Sequence, residues 1–264
     1  MSDENTNKFS LIDLPDSLDG AVKNLTDQPT KNAGQTLGDI WYLVFGGLSH
    51  MADKKRMKYA QDLENYRKEL EQSIRTIPKE KKIEPSIQVT AQALENSKYC
   101  VSSKTLRSMF TNLIVGTMNS DLEPLIHPSF PEIIKQMNEN DAHLLMELKT
   151  KTDLIPIAEF REKFNENNEF ITLFSNAYIS NQYNLSLDDC SCSLSFLERM
   201  GLITISYQNC LSVDSMYLPF IETTFYKRLE EEINCLNRNS CVALYKGFLD
   251  ISPLGKRFIE TCVP

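Results

Sequence analysis

The residues best suited to chemistry in this chain are two histidines, His127 and His143, and two nearby carboxylates, Glu132 and Asp141. A histidine beside a carboxylate can transfer protons near neutral pH or bind a metal ion. The spacing is not that of the His-Glu-x-x-His metal motif, and neither a glycine-rich phosphate loop nor a Gly-x-Ser-x-Gly nucleophile turn accompanies it. We therefore predict no catalytic residue, no metal ligand and no cofactor site.

His127 also opens a corner that reads His-Pro-Ser-Phe-Pro over residues 127–131. Pro128 and Pro131 fix their own φ angles, and Phe130 between them is a large apolar anchor. A histidine before proline at the start of a helix is typical of a turn or capping residue. We predict that the corner is structural and that Phe130 is buried.

Helical patterns surround this corner. Apolar residues recur at helical spacing over 37–51 and continue to residue 77, with the Gly46-Gly47 pair predicted to interrupt the helix. Trp41 and Phe45 lie one turn apart on this apolar face. A core helix and a helix lying on a membrane surface produce the same stripe, and a basic run follows it. We favour burial but keep a membrane or interaction face open for Trp41, Phe45, Lys54, Lys55, Arg56 and Lys58.

Capping residues mark the helices that follow. Pro85 fits the first turn of a helix to about residue 99, and Ser102 or Ser103 is expected to cap the next one. A short helix is predicted at 132–137, and Asn138 or Asn140 is expected to cap its successor.

The pattern changes after Lys151. Residues 153–164 are predicted to be a short helix begun by Pro156, and 170–185 are ambiguous. The rest indicates a helix ended by Gly201, a strand, a charged helix, a second strand and a final helix capped by Ser252. The predicted segments are 186–201, 202–207, 220–236, 242–251 and 254–262.

These patterns predict a mainly α fold with an α+β, winged-helix-like C-terminal region. A helix is predicted to be inserted where the wing hairpin of a winged helix would lie. We divide the chain into a flexible lead at 1–36 with a short helix at 14–25, a helical domain at 37–151 and the α+β domain at 152–264.

Charge argues against nucleic-acid binding. The net charge is −8 and the isoelectric point is near 5.1, whereas DNA binding needs a basic surface. Residues 31–83 are locally basic, with 11 Lys and Arg against 7 Asp and Glu, but residues 186–264 carry only 7 against 10. We expect no specific nucleic-acid partner.

Cysteine usage and the N-terminus indicate a compartment. The 7 cysteines form neither a disulfide framework nor a zinc pattern, which is typical of reduced, buried thiols in the cytosol. The N-terminus is acidic and polar rather than a signal peptide, and no apolar run is long enough to cross a membrane. We predict a cytoplasmic protein, with peripheral attachment to the inner membrane left open.

Several motifs carry a family resemblance. Leu37-Gly38-Asp39 opens the first helix, an Ile-x-Pro step lies at 83–85, and Ala93-Leu94-Glu95 precedes Tyr99. The central block then resembles the abortive infection alpha (Abi-alpha) family of bacteria. Its most specific motif residues are Leu106, Arg107, Phe110, Asn112, His127, Pro128, Phe130, Glu132 and Lys135.

The resemblance implies a role in defence against phage and no established catalytic residue. We expect a non-enzymatic sensor or effector of abortive infection whose partner is a protein: itself, a phage component or a host component. One alternative is a transcriptional regulator acting through the winged-helix-like region. The other is a membrane-acting effector that uses the amphipathic segment 37–58.

Overall fold

The computed structural model of the protein describes residues 31–46, 53–151, 153–164, 169–236 and 239–264. The side chains of residues 31–35 and 53–57 lie outside this description. The short helix predicted at 14–25 also lies outside the described residues.

The first half of the described chain is helical. Six α-helices follow one another: α1 (Lys31–Phe45), α2 (Asp53–Thr76), α3 (Ile87–Ser97), α4 (Lys104–Gly116), α5 (Phe130–Gln136) and α6 (Glu139–Lys149). The Ser103 side chain accepts a hydrogen bond from the Leu106 amide at the start of α4. Asn138 and Asp141 form a reciprocal capping box at the start of α6. Capping at Ser103 and Asn138 is thereby confirmed.

The second half builds an antiparallel sheet with helices on both faces. Its strands are β1 (Ile155–Phe164), β2 (Phe170–Ala177), β3 (Ile203–Ser206) and β4 (Ser240–Ile251), in the spatial order β2-β1-β4-β3. The helices are α7 (Leu187–Arg199), α8 (Leu218–Glu222), α9 (Thr224–Cys235) and α10 (Pro253–Cys262).

The predicted helix at 153–164 is wrong, because this segment is strand β1. Its proline and its alternating Glu, Arg and Lys residues are typical of a helix start and a charged helix. However, β1 pairs with β4 along its whole length, from Ile155 opposite Leu249 to Phe164 opposite Ser240. This long-range pairing outweighs the local preference of the segment.

The single helix predicted at 220–236 is in fact two helices, α8 and α9. Thr223 separates them, and its hydroxyl caps α9 by accepting from the Tyr226 amide. In the ambiguous segment 170–185, β2 occupies the first 8 residues and a loop follows.

The α+β character of the C-terminal region is confirmed. Strand β3 follows α7 as predicted, and Gly201 takes the left-handed conformation that ends α7, with a φ of 73°. The helices α8 and α9 lie between β3 and β4 in the chain, where we predicted an insertion. The sheet also contains β1 and β2, and the winged-helix comparison stays a prediction.

The two faces of the sheet pack in two hydrophobic clusters. Ile155 and Ile157 join a large cluster that contains the apolar residues of α1 to α7 and α10. Ala158 and Phe160 point to the other face and pack against Tyr217, Phe220 and Tyr226. The large cluster contains residues from both sides of residue 151 in the chain. The division into two domains at that residue stays a prediction.

Candidate functional site: a groove beside the sheet

A groove of about 450 Å³ opens where the helical half meets the sheet. Three segments line it: the connection from α6 into β1, the chain that follows β2, and the 3-10 turn that leads into α8. Its lining includes the side chains of Lys151, Asp153, Leu154, Tyr178, Asn181, Met216 and Phe220. Its volume lies in the range of small-molecule and side-chain pockets.

Glu147 on α6 holds the first wall of this groove. The carboxylate is completely buried and accepts hydrogen bonds from the Tyr178 hydroxyl at 2.8 Å, the Ser180 hydroxyl at 2.6 Å and the Asn181 amide at 3.0 Å. Tyr178 and Asn181 themselves line the groove. Glu147 therefore acts as a positioning residue for the chain that follows β2.

The Glu147 carboxylate is stabilised in its charged form. Burial raises its pKa, but the hydrogen bonds from Ser180, Asn181 and Tyr178 outweigh burial and bring the pKa below its ordinary value. Burial and the bond to Glu147 both raise the pKa of the Tyr178 hydroxyl, so Tyr178 remains the donor.

Strand β4 holds the second wall. The Tyr217 hydroxyl donates to the Gly247 carbonyl at 2.8 Å and accepts from the Leu211 amide at 3.0 Å. The Lys246 ammonium group contacts the Asp214 carboxylate at 2.7 Å. These contacts tie the turn Asp214–Tyr217 to the sheet and place Met216 in the lining of the groove.

The surface of the groove is apolar with a polar rim. Phe220 is buried beneath it, whereas Leu154 and Met216 are 39% and 38% exposed. Lys151 and Asp153 are exposed at the end of α6 and carry opposite charges. This arrangement suits an apolar group flanked by polar atoms. Among the described residues, no group of three or more His, Cys, Asp and Glu residues is placed to hold a metal ion.

The structure does not bring the two histidines and two carboxylates of the candidate acid–base set together in one site. His127 is exposed, and its Nδ1 accepts from the Ser129 amide at 3.2 Å. The His143 ring stacks on Tyr183, with the ring centroids 4.6 Å apart. Each histidine thus makes its own structural contact, and the two contacts are separate.

The two carboxylates of that set are engaged elsewhere. Glu132 accepts from the Asn96 side chain at 3.2 Å and contacts Lys135 at 3.5 Å. Asp141 belongs to the capping box of α6.

The family-motif residues lie in the core and between helices. Arg107 is buried and binds both carboxylate oxygens of Glu69 on α2, at 2.9 and 2.7 Å. Asn112 donates to the Cys262 carbonyl of α10 at 3.2 Å. Leu106, Phe110 and Phe130 are buried, whereas Pro128 and Lys135 are exposed.

The corner at 127–131 packs against α10, the last helix. Phe130 is completely buried and meets the Phe258 ring edge to face, with the centroids 5.0 Å apart. The predicted burial of Phe130 is confirmed.

The apolar stripe of α1 faces the core. Trp41 is 2% exposed and packs against Phe45 and Tyr66, with ring centroids 4.5 and 5.5 Å apart. Lys58 is exposed on α2, and the side chains of Lys54, Lys55 and Arg56 lie outside the described residues. None of the helices in the described ranges is both long enough and apolar enough to cross a bilayer.

All 7 cysteines are free thiols, but only Cys100, Cys190 and Cys262 are buried. The expectation of buried thiols is wrong for the exposed Cys192, Cys210, Cys235 and Cys241.

Sequence reasoning missed Glu147, Tyr217 and Met216. A signal for Glu147 was present, because it lies three residues after Leu144 and one before Leu148, on the apolar face of α6. A carboxylate on such a face needs buried donors. Tyr217 and Met216 lie in a short turn whose neighbours come from β4, so no local pattern could identify them.

Comparison with known proteins gives one match. The family model described as abortive infection alpha matches residues 58–262, which is most of the chain. A search of curated proteins and a search of solved structures each found no match. The matched region includes the groove, the corner at 127–131 and the Arg107–Glu69 pair. The chain therefore belongs to the abortive infection alpha family.

Proposed function

We propose that this protein is a non-enzymatic sensor or effector of abortive infection in bacteria. In this proposal it acts from the cytoplasm by binding a protein of the phage or the host. Family membership supports the biological role. The engagement of His127, His143, Glu132 and Asp141 in separate structural contacts supports a role without catalysis.

The observation that carries the proposal is the groove beside the sheet. Leu154 and Met216 expose apolar surface in the lining of the groove, and hydrogen bonds hold both walls in place. A preformed pocket with an apolar interior and a polar rim is the usual anatomy of a recognition site. A partner would place an apolar side chain over Phe220 and meet Lys151 or Asp153 at the edge.

A plating assay tests this proposal. Bacteria that produce the chain are challenged with a panel of phages, and the efficiency of plating is compared with that of cells lacking it. Met216→Asp places a charge in the apolar lining of the groove and should reduce protection about tenfold or more, equivalent to ~1.4 kcal/mol or more of lost binding. Because Met216 is 38% exposed, we expect this variant to keep the fold, and its unfolding transition checks this.

The matched control is Leu236→Asp. Leu236 is 56% exposed at the end of α9 and does not line the groove. Protection should survive this change. Equal protection by the wild type and the Met216→Asp protein would refute the groove as the binding site.

We further propose that the protein does not recognise specific duplex DNA. The helix that would read DNA in a winged-helix protein is α7, which exposes Asp188 and Glu198 beside the single cation Arg199. Phosphate contacts require Lys and Arg. An anisotropy titration at physiological salt should show no saturable binding tighter than about micromolar. Nanomolar, sequence-dependent binding would favour the transcriptional regulator instead.

A further inference from the structure

Strand β2 forms one outer edge of the sheet, and the first part of that edge is open. In the described part of the chain, β1 is its one strand neighbour. The first three residues of β2, Phe170, Ile171 and Thr172, are all exposed, with Phe170 at 52% and Ile171 at 51%. An open edge carries backbone N–H and C=O groups that can pair with another strand.

Helix α7 and an irregular register protect the second part of β2. The Ser191 hydroxyl of α7 donates to the Ser175 carbonyl at 2.8 Å. The pairing of β2 with β1 also shifts register on both sides of Phe160, and such irregularities prevent a strand from pairing further. The open edge is therefore limited to residues 170–172.

A stack of planar groups holds Phe170 in place at this edge. The Arg161 guanidinium group lies between two rings, 4.1 Å from the Phe170 centroid and 3.4 Å from the Tyr245 centroid. The Glu159 carboxylate accepts from Arg161 Nε at 2.8 Å and fixes the guanidinium group. The edge is thus ordered before a partner arrives, which lowers the entropic cost of association.

The hydrogen-bond pattern of β1 and β2 shows which backbone groups point away from the sheet. The Phe164 amide donates to the Glu169 carbonyl at 3.0 Å, and bonded pairs alternate along an antiparallel ladder. Ile171, two residues after Glu169, therefore also directs its N–H and C=O toward β1. Phe170 and Thr172 direct theirs outward.

This alternation makes the edge complementary to itself. In an antiparallel pair about a two-fold axis at Ile171, Phe170 of each copy lies opposite Thr172 of the other, and both offer outward backbone groups. Each Phe170 ring then meets a β-branched side chain, which is a favourable cross-strand pair. The two exposed Ile171 side chains face each other across the axis and remove apolar surface from water.

Charge favours a second copy as the occupant of this edge. The net charge of the chain is −8, so two copies repel each other overall. Residues 170–177 contain no charged side chain, although natural edge strands commonly carry charges that prevent such pairing. Self-pairing at β2 therefore places no like charges opposite each other on the paired strands.

We propose that two copies of this chain pair through residues 170–172 of β2 and join their four-stranded sheets into one continuous sheet. The two-fold pairing occupies the open edge of both copies, so assembly through it stops at the dimer. None of the three residues lines the groove, and the inference goes beyond the proposed function.

Sedimentation equilibrium of the full chain tests this inference. At high micromolar concentration the mass should approach twice the 30.3 kDa of the single chain, and dilution should lower it, since small interfaces are weak. Ile171→Lys places like charges opposite each other and should raise the dissociation constant about tenfold or more. Thr172→Pro removes an outward amide from each copy and should have a similar effect, while the bonds to β1 stay.

The matched control for Ile171→Lys is Leu236→Lys. Leu236 is 56% exposed at the end of α9, so the same charge is added to an exposed aliphatic position away from β2. This variant should form the dimer as the wild type does. The unfolding transition of each variant shows that it is folded.

Disulfide cross-linking tests the register of the pair. Serine first replaces the four exposed cysteines, Cys192, Cys210, Cys235 and Cys241. With oxidised glutathione as the oxidant, Ile171→Cys should form a covalent dimer, because residues opposite each other in a non-bonded antiparallel pair have Cα atoms about 4.5 Å apart. Thr172→Cys should not, because its two copies lie diagonally, beyond the ~7 Å that a disulfide spans.

Four results would overturn the inference: a single-chain mass at high micromolar concentration, a particle larger than the dimer, equal weakening by Leu236→Lys, or cross-linking of Thr172→Cys in place of Ile171→Cys. Met216→Asp should leave the mass of the dimer unchanged, since that variant alters the groove. Failure of the groove and failure of the strand pairing are therefore distinguishable.

Discussion

Two buried charged side chains of opposite sign, Arg107 and Glu147, are stabilised by different kinds of partner. Arg107 on α4 has a charged partner, because both oxygens of Glu69 meet its guanidinium group. Glu147 on α6 has no charged partner in the described part of the chain, and its carboxylate is held by two hydroxyl groups and an amide. Both side chains are almost fully removed from water, but Glu69 is 33% exposed.

The difference shows what each charge positions. Arg107 joins α4 to α2 and also donates to the Val101 carbonyl at 2.8 Å, so its contacts stay within the helical half. Glu147 reaches from the last helix of that half to the chain after β2, and so fixes a wall of the groove. Loss of Arg107 contacts should affect stability alone, whereas loss of Glu147 contacts should also alter binding.

The largest effect on stability is expected at Phe130. Its loss shows what an apolar core residue contributes, against which the two charged residues can be compared. Phe130→Ala should lower the free energy of unfolding by ~3–5 kcal/mol, because it removes a buried ring that packs on Phe258. Denaturant unfolding measures the change. The control, Phe170→Ala, alters a ring that is 52% exposed and should cost less than ~1 kcal/mol. Similar costs in both variants would show that the corner is not anchored in the core.

Glu147→Gln should have the next largest effect. It keeps the shape of the side chain but removes the charge that three donors share, at a cost of ~1–3 kcal/mol in unfolding free energy. Amide hydrogen exchange should rise at residues 178–182, and protection against phage should fall. A variant with unchanged exchange in that loop would contradict the positioning role of Glu147.

Glu69→Gln should cost less, about 1–2 kcal/mol, because the partly exposed partner of Arg107 is screened by water. Faster exchange is expected where α2 meets α4, with no change at residues 178–182. Protection against phage should persist once the loss of stability is allowed for. Faster amide hydrogen exchange at residues 178–182 in Glu69→Gln would show that the Arg107–Glu69 pair also positions this loop. It would contradict the different roles given to Arg107 and Glu147.

The pH dependence sharpens the comparison further. The pKa of Glu147 lies below its ordinary value in the folded chain, since the bonds from Ser180, Asn181 and Tyr178 outweigh the opposing effect of burial. Its contribution to stability is therefore fully present above the ordinary pKa and is lost as the pH falls through the lowered pKa. The difference in unfolding free energy between the wild type and Glu147→Gln should shrink in acid. A difference that grows with acidity would contradict this sign.

Local signals predicted the ends of several helices well. Capping by Ser103 and Asn138 and the left-handed Gly201 depend on residues within a few positions of each other, and the structure confirms them. The apolar stripe of α1 was also visible from its spacing, although its bounds shifted to Lys31–Phe45.

The groove and β1 could not be predicted in the same way. Strand β1 depends on pairing with β4, about 80 residues later in the chain, and this pairing outweighs a helix-like composition. The groove combines three distant segments, represented by Leu154, Tyr178 and Met216. No window of the sequence contains these neighbours together.

The most direct test of the account compares His127→Ala with Met216→Asp in the plating assay, using proteins shown to be folded by their unfolding transitions. The hydrogen bonds and ring contact of His127 in the described structure are to Ser129 and Phe130 of its own corner, whereas Met216 lines the groove. The account predicts full protection by His127→Ala and loss of protection by Met216→Asp. A folded His127→Ala protein that no longer protects, beside a protective Met216→Asp protein, would place the functional site at the family motif and contradict the account.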